Sequence, residues 1–256
     1  MSATIFWHEF STRWKSVMFW SVSLTGLIFL FLSIFQSFAE EAALIRQMME
    51  KFPPALLEAF GMARTDLSSL LGYYSFLFVF VQLCLAIQAG NYGFGLVSIE
   101  ESELTADFLL TRPVSRGQVM TSKLLAAFGS LLLTELVVWA ATFLSIGLYA
   151  RDLDRLQTLI LLLISMLVLQ AFFLSVGLMI SLLVRRVRSV TPYSLGLGFG
   201  SYVLAALSGI LGEVKLEYVT PFKHLDPAFI VRNNAFDAPL VLLNIGITVI
   251  ALVVSY

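Results

Sequence analysis

Few side chains in this 256-residue chain could carry out chemistry, and their spacing narrows the choice further. The two histidines, His8 and His224, do not belong to a His-Glu-x-x-His pair able to hold a zinc ion. Glu40 and Glu41 precede Arg46 in a pattern one residue longer than the Glu-Glu-x-x-x-Arg of intramembrane metalloproteases. That chemistry also needs histidines inside apolar spans, and neither histidine lies in one. Cys84 is the only cysteine, so an intrachain disulfide and a cysteine metal set are both excluded. Within its apolar run it reads as a small hydrophobe. No lysine follows a glycine, so the chain has no Gly-x-x-x-x-Gly-Lys loop to cradle phosphates. If its work uses ATP, another polypeptide binds the nucleotide. We expect no catalytic residue, no metal site and no cofactor on this chain.

Glu135 stands inside an apolar stretch, where a carboxylate is expensive and marks a functional site by default. Two readings stay open. It lines a polar path or contacts a substrate, or it is structural, either protonated or bonded to a neighbouring helix. Gln82 is a second polar candidate within a span, and Gln82 and Gln88 both read as interhelical hydrogen-bond partners. The densest polar run is Ser98–Lys123. Glu100, Glu103 and Asp107 recur there at helical spacing, Leu104, Phe108 and Leu109 build an apolar side, and Pro113 ends the pattern. Such a run is either a solvated connecting helix or a docking element with an exposed apolar stripe.

The elements that must position these residues follow from composition. Apolar residues make up 59% of the chain before glycine is counted, and charged ones 13%, half the roughly 25% of a soluble domain. Mean hydropathy is +0.89. So few charges cannot clothe a soluble enzyme of this length. A net charge of −1 gives no attraction to phosphate polymers, so nucleic acid is not an expected partner. The lipid bilayer is. A hydrocarbon core needs roughly 20 apolar helical residues to cross it. Six stretches qualify: 17–36, 72–97, 119–148, 157–184, 190–211 and 238–256. The expectation is an all-α, polytopic membrane protein with a single domain over 1–256. All seven prolines fall at or beyond the ends of these stretches.

Further expectations concern the connections. Residues 4–16 read as an amphipathic interfacial helix, with Phe6, Phe10, Trp14 and Val17 on one side and Glu9, Arg13 and Ser16 displaced from them. The first stretch is too long for a cleaved signal and is retained. Two short surface helices are expected over 37–71, with Asp66 capping the second span. The segment 212–237 is expected to pack at the membrane interface. Lysines and arginines number eight on each side if both termini are cytoplasmic. The tight Arg185-Arg186-Val187-Arg188 cluster then decides for that orientation, because short loops weigh most. In the fifth stretch, Gly196 and Gly200 form one small-residue stripe, and Ser201, Ala205 and Gly209 another. They fit intrachain packing or a subunit interface. The sixth stretch runs to Tyr256 with no basic anchor behind it, which leaves open whether the sequence continues.

The Ser98–Lys123 run resembles the cytoplasmic signature of type 2 ABC-transporter permeases, the ABC-2 family. Glu100, Glu101, Thr105, Asp107, Leu109, Leu110, Pro113, Ser115, Arg116 and Lys123 match it, and Leu104 departs from the family's usual glycine. Tyr218-Val-Thr-Pro-Phe-Lys-His-Leu-Asp-Pro227 is similar to a run before the last span in a subgroup of the same family. The resemblance implies two six-span permease subunits, as a homo- or heterodimer, each contacting a separate ATPase that carries ATP and magnesium. It implies that a helix over 100–112 seats in the ATPase and that export from the prokaryotic inner membrane is the usual direction. Glu100, Glu101, Asp107, Phe108 and Arg116 would carry the coupling. The alternative is a membrane scaffold or assembly factor without transport.

Overall fold

The computed structural model describes residues 2–53, 57, 66–102, 115–149, 155–184, 189–210 and 215–256. Its elements are α1 (Ala3–Glu40), α2 (Ala42–Met49), α3 (Leu70–Ser102), α4 (Arg116–Tyr149), α5 (Leu156–Leu183) and α6 (Val190–Ile210). A single 3₁₀ turn (Leu216–Tyr218) follows, then α7 (Pro221–His224), α8 (Pro227–Asn233) and α9 (Ala238–Ser255). Six of them, α1, α3, α4, α5, α6 and α9, are long and apolar enough to cross a membrane.

The apolar surface of each helix decides its place. α5 is apolar all round, and α3 nearly so, which suits a helix enclosed by others. Their most apolar windows are 67% and 61% buried, against 17% for α6 and for α9. α3 and α5 therefore form the centre, α1 packs along α4 on one side, and α6 and α9 flank the other. Glycines set the central approach. A Cβ at Gly93 would lie 2.3 Å from the Leu174 carbonyl oxygen, and one at Gly177 would lie 3.2 Å from that of Gly90. Small residues let helix backbones meet this closely.

The stripe expected to do this work in α6 is differently placed. A Cβ at Gly196 or at Gly200 would meet nothing within 4 Å, whereas one at Gly198, between them, would lie 2.9 Å from Ile87. The four-residue spacing was visible in sequence, but the face of α6 that meets α3 is the one carrying Gly198 and Ser194. Ala205 is buried in the core. Gly209 lies in the last turn of α6, and its surroundings fall outside the described residues.

Three connections also differ from expectation. No boundary separates an interfacial helix from the first span, because residues 3–40 form one unbroken helix. At about 1.5 Å per residue it is roughly 57 Å long, far more than a bilayer core of about 30 Å requires. Ser69, not Asp66, caps α3, accepting from the Gly72 amide at 3.1 Å, while Asp66 holds the preceding turn through Ser68. The second short surface helix, apart from Leu57, and the Arg185–Arg188 cluster lie outside the described residues.

The 215–237 segment does not lie on the surface throughout. Tyr218 and Phe229 are exposed, but Thr220, Pro221, Phe222, His224 and Leu225 are buried. The Phe222 ring packs on Phe173 and Tyr202 at centroid distances of 5.6 and 5.9 Å. Phe173 is seventeen residues into α5, so roughly 25 Å along it. Gln82, twelve residues into α3, donates to the Leu225 carbonyl at 3.1 Å. The chain thus folds back to mid-bundle depth before α8 returns it. Asp226 caps α8 by accepting from the Ala228 amide at 2.9 Å, and Pro227 fills the first helical position, where a missing N–H is harmless.

Candidate coupling site

Both ends of the chain meet the first turns of α4. The Ser2 amide donates to Ser122 Oγ at 2.8 Å, and the Tyr256 hydroxyl donates to the Gly117 carbonyl at 3.1 Å and bonds Thr121 Oγ1. The termini therefore lie on one side of the bundle, here called its base. α3 ends and α4 begins at the same base. Glu100 and Glu101 fall in the last turn of α3 and Arg116 opens α4, while their side chains lie outside the described residues. Asp107 and Phe108 lie outside them entirely.

One lysine fastens these helix ends together. Lys123, seven residues into α4, is 4% exposed. Its Nζ donates to the Leu96 carbonyl of α3 at 2.9 Å and pairs with Glu9 of α1 at 3.4 Å. Glu9 also binds Arg13 at 2.7 Å, and the Arg13 guanidinium lies 5.8 Å from the Tyr92 ring centre. The Tyr92 hydroxyl donates to Ser16 at 3.1 Å. Gln88 donates to Thr134 of α4 at 2.9 Å and to the Tyr92 hydroxyl at 3.3 Å. Beside this chain of bonds, the stacked rings of Phe6 and Phe10 cover Gly129, whose Cβ would touch Phe10 at 3.8 Å. Glu9 precedes the apolar stretch of α1. Burial alone would push its carboxyl up, but Arg13 and Lys123 outweigh it and hold the group below its ordinary range.

Sequence reasoning placed Glu9, Arg13 and Ser16 on one side of an interfacial helix, away from Phe6, Phe10 and Trp14. In the structure they face α3 and α4, and Trp7 and Trp14 are exposed. Helical spacing marks which residues share a face without saying what covers it. The missing signal was a partner, and Lys123 supplies one.

The other candidates are scattered. Glu135 is 2% exposed, and its Oε1 accepts from the Trp139 indole at 2.6 Å, one turn along the same helix. Its Oε2 has no hydrogen-bond partner among the described residues. Gln82 is taken up by the re-entrant turn. Among the described residues, no group of three or more His, Cys, Asp or Glu could hold a metal.

Six long apolar helices, of which α1, α3 and α4 are joined at the base by enclosed polar ties, define a polytopic α-helical membrane protein. A family profile described as "ABC-2 family transporter protein" matches residues 3–256, so the chain belongs to the ABC-2 transporter family and is a membrane component of such a transporter. Membrane subunits of this family are typically non-catalytic, and the family generally works with an ATPase partner. Comparisons with curated proteins and with solved structures gave no match.

Proposed function

We propose that this chain is the permease subunit of an ATP-binding cassette exporter, paired with a second six-span subunit and energised by an ATPase on a separate polypeptide. In this reading the base is cytoplasmic and the membrane is the prokaryotic inner membrane. ATP and magnesium sit on the partner, and Glu100, Glu101, Asp107, Phe108 and Arg116 engage it. The observation that carries the proposal is Lys123, which ties α1 and α3 to α4 just beyond the 103–114 connection. A push on that connection cannot move α4 alone. Closure of the ATPase pair would displace α3 and α4 together and draw α1 with them, changing access along the permease interface.

The test is co-purification with an ATPase encoded beside it, followed by Asp107→Lys in the reconstituted complex. ATP hydrolysis should persist while transport is lost. An ATPase-active transport complex that lacks this chain would sink the reading, and full function after scrambling 100–112 would favour the scaffold.

A further inference from the structure

Among the described residues, seven buried side-chain atoms lack a hydrogen-bond partner, and they divide cleanly. Three belong to Ser21, Gln88 and Glu135, on α1, α3 and α4. The other four belong to Gln170, Thr220 and Asn244, around the re-entrant turn. This second set is uncharged and almost wholly enclosed, at 1%, 0% and 0% exposure.

Each of the three is linked to the turn. Gln170 precedes Phe173 by one turn on α5, and Phe173 packs on Phe222. Thr220 immediately precedes α7, two residues before Phe222. Asn244 of α9 donates to His224 Nδ1 at 3.3 Å, and His224 Nε2 donates to the Tyr218 carbonyl at 3.3 Å. The nearby charges, Lys223 and Asp226, pair with each other at 3.4 Å. The free atoms are one amide donor, two amide acceptors and a hydroxyl that does both. Each such group loses its water partners on burial and gains nothing in return. Irregular backbone at membrane depth is tolerated where protein buries it or where it lines a polar path. The turn is tied to the long helices α3 and α9 by single side-chain bonds from Gln82 and Asn244.

We propose that Gln170, Thr220 and Asn244 form a contact site for an uncharged hydrogen-bonding group, hydroxyl or amide, of the transported solute, uncovered when the 218–225 turn withdraws. The inference rests on the permease reading. In the present conformation the site is closed, and turnover opens it.

The test uses Thr220→Cys in a Cys84→Ser background, purified with the partner ATPase in nanodiscs and treated with methyl methanethiosulfonate. Labelling should quicken about tenfold during ATP turnover relative to rest. Maltotriose or N-acetyl-triglycine amide should slow it, the first assigning hydroxyl recognition and the second amide recognition. Gln170→Leu in the same background removes two unmet groups, so its unfolding temperature should hold or rise while protection by the probe is lost. If Thr220→Cys stays inert through turnover, if neither probe protects, or if Gln170→Leu keeps full protection, the site is refuted. Failure of the wild-type chain to assemble with an ATPase would instead overturn the permease reading.

Discussion

The base of the α1–α3–α4 seam and the surroundings of the re-entrant turn are both polar regions within an apolar bundle, but they are built in opposite ways. At the base, formal charges are half-buried or buried and matched: Glu9 meets Arg13 and Lys123, and Lys123 also meets a backbone carbonyl. Around the turn the groups are neutral, and several have no partner. A matched charge set resists separation, because parting it strands a charge in low dielectric. A neutral, half-matched set holds its neighbours weakly and has bonding capacity to spare. The first arrangement suits the transmission of force and the second suits release.

The comparison can be broken most severely at Glu9. Glu9→Gln leaves Lys123 and Arg13 facing an uncharged amide and should lower stability by about 3 kcal/mol, read as thermal unfolding in detergent. Pairing it with Lys123→Met should restore most of the loss. The same group sets an acid limit. Its folded pKa lies below its unfolded value, so the stability it supplies is complete above the ordinary carboxylate range and is lost as pH falls through the lower folded value. Glu9→Gln should flatten that acid limb of the unfolding profile. A smaller effect, about 1–3 kcal/mol, is expected for Gly93→Ala, whose methyl would press on the Leu174 carbonyl. Gln82→Leu should cost about 1 kcal/mol by freeing the Leu225 carbonyl. Its effect should appear as faster labelling at Thr220→Cys, with α1 and α4 unaffected. Gly196→Ala and Gly200→Ala face open space and should change the chain's own stability by no more than about 0.5 kcal/mol. A change in subunit pairing with unchanged stability would assign that stripe to an interface.

The six long helices were legible because each is a contiguous apolar run, a signal that needs no partner to be read. The centre of the bundle was not. Gly90, Gly93 and Gly177 matter through what faces them, and Gly196 and Gly200, with the better-known spacing, face nothing. Lys123 was noticed through its place in the family pattern, but its bond to Glu9 joins residues 114 positions apart, beyond any local periodicity. The 212–237 segment as a whole, Phe222 within it, reads as interfacial in sequence. Burial of the Thr220–Leu225 backbone depends on Gln82 offering it a donor, which composition cannot express.

α1 has a mechanical consequence. Because Ala3–Glu40 is unbroken, it behaves as a stiff lever. Taking the start of its apolar stretch at Val17 as the fulcrum, about 21 Å of helix lies on the short arm and about 36 Å on the long one. A sideways stroke at Glu9 would therefore arrive at Glu40 reversed in direction and enlarged. A small movement at the base could swing α2 at the opposite face of the bundle by several times its own amplitude.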